Sequence, residues 1–262
     1  MNTQQTPLAV LILAAGKGKR MNNPELPKVM FPVAGTPMVG HVLNQVKKLN
    51  PDKTVLIVGH HKEIVINYVN DDFAEFAEFA EQTEQLGTGH AVAQAEELLK
   101  DFSGDVLILS GDVPLLRAST LKTFVETHHH TDASVSVLSV DAPNPTGYGR
   151  IVRDEAGNFL KITEQKDATD AEKAITEINS GIYIVESEKL FKALKQVSNT
   201  NAQGEYYLTD IISILRKDNA PVCAAKIKHF DELQGINTVD ELARAEQSYH
   251  ALHGETVSLP NL

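Results

Sequence analysis

The stretch LAVLILAAGKGKRMNNPELPK, residues 8–28, opens with an unbroken apolar run from Leu8 to Ala15 and then breaks at Gly16. A run of that length suits a strand buried on both faces, as in a parallel sheet. Gly16-Lys17-Gly18-Lys19-Arg20 is then a glycine-rich turn with three cations, and Lys28 adds a fourth. Glycine lets backbone N–H groups face an anion with no Cβ in the way. Arg20 can bind phosphate oxygens bidentately, while a lysine acts as a point charge. The stretch therefore reads as a polyphosphate cradle at the C-terminal end of a first β-strand. It is neither of two familiar phosphate loops. A dinucleotide fingerprint needs glycine where Met21 stands, and a Walker A loop needs Gly-Lys-Ser/Thr, which is absent. The bland account, a βα turn with solvated lysines, weakens because the four cations stand in an acidic chain of formal net charge −11.

Working outward, strands alternate with helices. Thr36-Pro37 reads as a helix start with Pro37 at the first helical position. Strands are expected at Thr54–Val58, Asp105–Leu109, Ala133–Val140, Ile182–Val185 and Val222–Ile227, with a short one near 78–82. Helices are expected near 62–69, from Gly87 to about Leu99, and around 118–129. Further helices are expected from Leu190 to about Val197, over Tyr207–Arg216, and from Val239 to about Leu252. A hairpin, Ile151–Arg153 with Phe159–Thr163, interrupts the rhythm. The alternation predicts an α/β fold of Rossmann-like kind, a mostly parallel central sheet with helices on both faces and an inserted β-rich portion. The expected division is one domain over residues 1–252 and a loose tail over 253–262.

The charge argues against general affinity for nucleic acid or anionic membrane. One cysteine, Cys223, excludes an internal disulfide and suits a reducing cytoplasm. Set inside a strand, it reads as core. No apolar run has the length of a membrane span, and MNTQQTP is too polar for a signal peptide. A soluble, cytoplasmic protein is expected.

Among chemistry-bearing residues Asp112 comes first. It stands just past a buried strand, on the sheet edge where open α/β sheets bind ligands. A carboxylate beside a phosphate cradle makes sense with a divalent cation between them, although an Asp capping the turn before Pro114 is an equally simple account. Gln82, Gly87-Thr88, Glu164, Glu177 to Gly181 and Gly235-Ile236-Asn237 each end or follow a strand, where either a pocket or ordinary turn chemistry would recruit them. His128-His129-His130 falls at a helix end, favourable to the dipole and poorly spaced for a metal pair. His60, His61 and His90 read as surface or capping residues.

The segments LAAGKGKRM and LPK (13–28), EQLGTGHA (84–91), SGDVP (110–114), DAPNPTGYGRI (141–151), EQKDATD (164–170), EINSGIYI (177–184), NAQGEYYLTD (201–210) and GINT (235–238) together resemble a family. It is the uridyltransferase domain of bacterial N-acetylglucosamine-1-phosphate uridyltransferases, among the sugar nucleotidyltransferases. The likeness runs in order from about residue 8 to about residue 250. It implies a nucleotidyltransferase fold and transfer of uridylyl from UTP to N-acetylglucosamine 1-phosphate, a cell-wall precursor reaction that releases pyrophosphate. By residue, it implies that Leu13, Ala14, Ala15, Gly16, Gln82, Gly87, Thr88, Ser110 and Gly111 hold the nucleotide. Arg20, Lys28 and Asp112 would be catalytic, Gly149, Glu164 and Asn179 would grip the sugar, and Asp112 with Asn237 would bind Mg²⁺. Alternatives are another hexose 1-phosphate, such as glucose 1-phosphate, or a sugar-nucleotide sensor without turnover. Two departures stand out. No hexapeptide-type repeats of an acetyltransferase domain follow, so acetyl transfer is expected to be absent and the oligomer is open. Ser110 stands where the family commonly has Tyr.

Overall fold

A computed structural model of the protein describes residues 6–18 and 20–253, and the side chain of His253 is not described. Lys19 and the expected tail from 254 onward lie outside the described residues. The strands are β1 (Leu8–Leu13), β2 (Pro32–Val33), β3 (Thr36–Pro37), β4 (Lys53–Val58), β5 (Glu78–Glu81) and β6 (Asp105–Ser110). They continue as β7 (Val135–Asp141), β8 (Arg150–Arg153), β9 (Phe159–Thr163), β10 (Glu177–Glu186) and β11 (Val222–Ile227). The helices are α1 (Met38–Lys47), α2 (Lys62–Phe73), α3 (Thr88–Ala93), α4 (Ala118–His130), α5 (Asp170–Lys173), α6 (Ser187–Leu194), α7 (Asp210–Lys217) and α8 (Val239–His253).

The sheet order is β11-β7-β10-β6-β1-β4-β5, with the β8–β9 hairpin attached to β10. β1 lies between β6 and β4, parallel to both, and β5 is parallel to β4. β10 alone runs antiparallel within the main path, against both β6 and β7. The α/β expectation with a mostly parallel sheet is thus met. Successive strand residues face opposite sides, and each side is covered. Leu11, Ile57 and Ile108 pack with Ala91, Leu190 and Ile211 from α3, α6 and α7. Ile12, Leu56 and Leu109 pack with Val42, Val65 and Phe124 from α1, α2 and α4. Residues 9–12 of β1 have no solvent exposure. Truncating one of them, Leu11→Ala for instance, should cost about 2–5 kcal/mol through lost burial and the cavity left behind.

The register sets the site. Leu13 pairs with Ser110 on one side and Ile57 on the other, while Val58 pairs with Glu81. The C-terminal ends of β1, β4, β5 and β6 therefore share one edge, and the Gly16 turn, Gln82 and Asp112 emerge there together.

Several local expectations are corrected. Pro37 has an extended ψ of 142° and pairs with Pro32, so it precedes α1 as its N-cap. The helix expected to reach Leu99 stops at Ala93, because N–H groups of residues 94–96 bond three residues back and tighten the chain. Glu177 to Asn179, which carry turn-forming residue types, are strand: they pair with Asp141, Val140 and Ser139 before a register shift ahead of Tyr183. Here cross-strand pairing outweighs local preference. Tyr207 to Thr209 precede α7, their polar groups engaged elsewhere. Cys223 is half-buried, because β11 is the sheet's edge strand. His128 is 3% exposed, its Nδ1 2.8 Å from Ser136 Oγ, while His129 Nε2 lies 2.7 Å from Asp105 Oδ2. His128 is thus buried and His129 exposed, both beside Asp105 at the start of β6, the opposite end of that strand from Asp112.

Candidate active site

A cleft of about 250 Å³ opens at the shared strand edge, lined by Leu13, Ala15, Gly16, Lys28, Gln82, Gly87, Thr88, Ser110 and Asp112 of the expected residues. Gln85, Ala91, Val29 and Glu205 complete its wall. Ala14 and Gly111 support it from behind: Ala14 N donates to Ile57 O at 2.8 Å and Gly111 N to Leu13 O at 2.9 Å. Arg20 is exposed on the loop and does not line the cleft.

One end of the cleft is walled by Gln82 and Gly87. Gln82 is 4% exposed, and its amide donates to Gly87 O at 3.1 Å and contacts His90 Nδ1 at 3.1 Å. Gly87 has φ +115°, and a Cβ there would lie 2.6 Å from Tyr206 O. Only glycine fits such a backbone at that approach. Gln85 Nε2 ties the loop to β1 by donating to Ala15 O at 3.2 Å.

The other end gathers charge. Lys28 follows the cradle, Asp112 follows β6, and Asn237 sits in the loop before α8. The Lys28 ammonium pairs with the Asp112 carboxylate and donates to Asn237 Oδ1 at 2.9 Å. Ile236 N donates to Asp112 O at 3.0 Å, which holds the two loops in register. Asn237 is fixed from α8, where Glu241 accepts from Asn237 N at 2.6 Å and Thr238 N at 3.1 Å. Among the described residues no group of three His, Cys, Asp or Glu side chains could hold a metal. One Asp and one Asn oxygen do converge on a single cation, the Lys28 ammonium.

A third group sits around the β8–β9 hairpin. Gly149 O accepts from Asn179 N at 2.9 Å, and a Cβ on Gly149 would lie 3.0 Å from Ile162 and 3.5 Å from Glu164 Oε1. Asn179 is aimed by its neighbours: Nδ2 bonds the Tyr183 hydroxyl at 2.7 Å and Oδ1 accepts from Gly181 N at 2.9 Å. Burial pushes the Glu164 carboxyl above its ordinary value; a Thr209 hydroxyl bond opposes the shift, and Asp167, Asp210 and Glu205 add to it. Gly149, Glu164 and Asn179 thus form one cluster, and they do not line the cleft described above. Residues 205–209 connect the two: Gly89 N donates to Tyr206 O at 2.8 Å, Leu208 N to Thr88 Oγ1 at 3.2 Å and Thr209 Oγ1 to Glu164 Oε1 at 3.2 Å.

Gln85, Glu205, Tyr183 and Thr209 carry no individual signal in the sequence. Three of the four fall in the quoted segments EQLGTGHA and NAQGEYYLTD, and Tyr183 in EINSGIYI, so the signal was the segment and not the individual residue. No helix among the described residues is long and apolar enough to cross a membrane.

Comparison with known proteins places the chain in a family and a fold. The family model described as nucleotidyl transferase matches residues 9–231. The chain is 49% identical over 235 residues to the bifunctional protein GlmU of Latilactobacillus sakei, covering 90% of this chain and 50% of that protein. It is 47% identical over 240 residues to GlmU of Enterococcus faecalis, covering 92% and 51% respectively. The chain therefore spans about half the length of the curated relatives it matches. In fold it is similar to a UDP-glucose pyrophosphorylase solved with UDP-glucose, with a TM-score of 0.75 at 17% identity over 94% of this chain and 99% of that one.

Proposed function

The chain belongs to the nucleotidyl transferase family, and from that premise we propose that it transfers uridylyl from UTP to N-acetylglucosamine 1-phosphate, releasing pyrophosphate. The observation that carries this reading is the convergence of Lys28, Asp112 and Asn237 at one end of a cleft whose other end is walled by Gln82 and Gly87. The choice of sugar rests on the resemblance of segments such as EQLGTGHA and NAQGEYYLTD to the uridyltransferase domain.

The chemistry asks little proton transfer of the protein. A sugar phosphate is already an ionised nucleophile. Its oxygen attacks the α-phosphorus of UTP in line, the bond from that phosphorus to the β-phosphate oxygen breaks, and the electron pair leaves with pyrophosphate. Catalysis is then positioning and neutralisation of charge. Leu13 to Gly16, with Gln82, Gly87 and Thr88, hold the nucleoside, Ala14 and Gly111 serving as the backing seen above. Ser110 and the Gly111 backbone close the floor at β6. Lys28 meets the phosphates from within the cleft, and Arg20, exposed on the cradle loop, reaches them from solvent. Gly149, Glu164 and Asn179 hold the sugar.

Asp112 and Asn237 fit Mg²⁺, since both already present oxygens to one cation, the Lys28 ammonium. When bound, the ion would supply Lewis-acid stabilisation of phosphate charge. A neutral Asn beside a single Asp holds such an ion without placing a second negative charge next to the triphosphate.

The test is pyrophosphate release from UTP with a panel of sugar 1-phosphates, with and without Mg²⁺. Turnover preferring N-acetylglucosamine 1-phosphate supports the proposal. Turnover with glucose 1-phosphate alone replaces the sugar, and none with any sugar favours a sensor.

A further inference from the structure

Glu164 is half-buried, its carboxylate feels the charge of three other acids, and one hydroxyl is aimed at it. Thr209 stands one residue before α7, is 4% exposed, and donates Oγ1 to Glu164 Oε1 at 3.2 Å. Its chain segment is held by the residues just before it. Upstream, Tyr206 N donates to Leu86 O at 2.8 Å, Gly89 N to Tyr206 O at 2.8 Å, and Leu208 N to Thr88 Oγ1 at 3.2 Å. Beside it, the Tyr207 hydroxyl donates to Asp167 Oδ2 at 3.2 Å. A threonine held this firmly has its hydroxyl direction set by the backbone, so it fixes which carboxylate oxygen of Glu164 is occupied and leaves Oε2 to accept from a ligand.

We infer that Thr209 is a positioning residue for the sugar: its hydroxyl orients Glu164 so that the free carboxylate oxygen meets a hydroxyl of the sugar 1-phosphate. This rests on the proposed uridylyl transfer and assigns a specificity element to that site. A carboxylate among Asp167, Asp210 and Glu205 is repelled by each of them, while Arg150 across the hairpin attracts it. The Thr209 bond stabilises the ionised, hydrogen-bond-accepting form against that repulsion. A sugar hydroxyl is a donor, so the ionised form is the one that binds.

The experiment is steady-state kinetics on the full chain, varying UTP and N-acetylglucosamine 1-phosphate separately. Thr209→Val keeps the shape and removes the hydroxyl. It should raise KM for the sugar phosphate about tenfold or more, the worth of a hydrogen bond to a charged acceptor, and leave KM for UTP within about twofold. Thr209→Ser should restore the sugar KM. The acid limb of kcat/KM for the sugar should move to higher pH in Thr209→Val, because a group that lowers the Glu164 pKa has been removed. If Thr209→Val fails to fold, Thr209→Ala removes the same hydroxyl without adding volume. Equal changes in both KM values, no change in either, or failure of the serine to rescue would each overturn the inference. Wild-type protein with no turnover overturns the proposed function itself, whereas an active wild type with indifferent Thr209 variants overturns this inference alone.

Discussion

Asp112 and Asn237, far apart in sequence, present side-chain oxygens to one ammonium group, that of Lys28, and Ile236 N bonds Asp112 O at 3.0 Å to keep their loops together. A buried acid that loses its charge leaves the ammonium unpaired and removes one of the two candidate metal oxygens. Asp112→Asn should therefore lower kcat roughly a thousandfold, in line with several kcal/mol of lost charge stabilisation. Pyrophosphate release is the measurement. Activity within about fivefold of wild type would remove Asp112 from the reaction.

The same pair predicts metal dependence. Chelation of divalent cations should abolish turnover, and added Mg²⁺ should restore it. Lys28→Met frees the two oxygens from their present cation. Direct titration by calorimetry should then find Mg²⁺ bound more tightly by the ligand-free variant than by wild type, even as its kcat falls. Weaker binding in the variant would mean that the lysine and the ion use different oxygens.

Gly87→Ala should damage the base end of the cleft. Its φ of +115° and the 2.6 Å approach of a Cβ to Tyr206 O leave no room for a side chain. About 1–3 kcal/mol of backbone strain follows, falling on the loop that Gln82 supports. KM for UTP should rise more than KM for the sugar phosphate, with a modest loss in melting temperature. An unchanged UTP KM would show that this loop does not hold the nucleotide.

Glu164 gives a pH dependence of stated sign. Burial raises its pKa above the ordinary carboxylate value, and protonation converts an acceptor into a donor. kcat/KM for the sugar phosphate should fall as pH drops, beginning above the usual carboxylate range. In Glu164→Gln that limb should vanish and KM for the sugar should rise. A limb that survives the substitution belongs to another group.

Glu172 makes a separate stability prediction. It closes a capping box with Thr169 at the start of α5, accepts from Thr163 Oγ1 at 3.0 Å and pairs with Lys161 Nζ at 2.8 Å. The Lys161 bond, followed by the Thr169 backbone bond, lowers its pKa from 4.5 to about 2. Because the folded pKa is depressed, its stabilisation is complete above the unfolded value and is lost as pH falls from about 4.5 toward 2. Glu172→Gln should lower stability at neutral pH by about 1 kcal/mol and flatten that part of the acid profile. Denaturant melts at several pH values would check both effects.

The parallel core of the fold was legible because its strands are continuous apolar runs. Leu8 to Ala15 and Asp105 to Leu109 can be buried on both faces only inside such a sheet, and their glycine-bearing ends mark where a site opens. What hid was whatever depends on partners distant in sequence. Glu177-Ile178-Asn179-Ser180-Gly181 has turn-forming composition and becomes strand because β7 pairs with it. His128 looks like an exposed helix end, yet Ser136 on a neighbouring strand draws it inside. At the site, Lys28 and Asp112 could be read from charge and position. That Asn237 joins them, or that Thr209 faces Glu164, is set by loops meeting across the fold, and no local pattern encodes it. Arg20 is the reverse case: its sequence context points to phosphate, and in the fold it is exposed on its loop, outside the cleft lining.

The most direct test of uridylyl transfer at this site is a quantitative product analysis of the purified chain with UTP, N-acetylglucosamine 1-phosphate and Mg²⁺, run beside Asp112→Asn at equal protein concentration. The account predicts UDP-N-acetylglucosamine and pyrophosphate in equal amounts from wild type and nearly none from the variant. Absence of the UDP-sugar from wild type, or equal yields from both proteins, would contradict it.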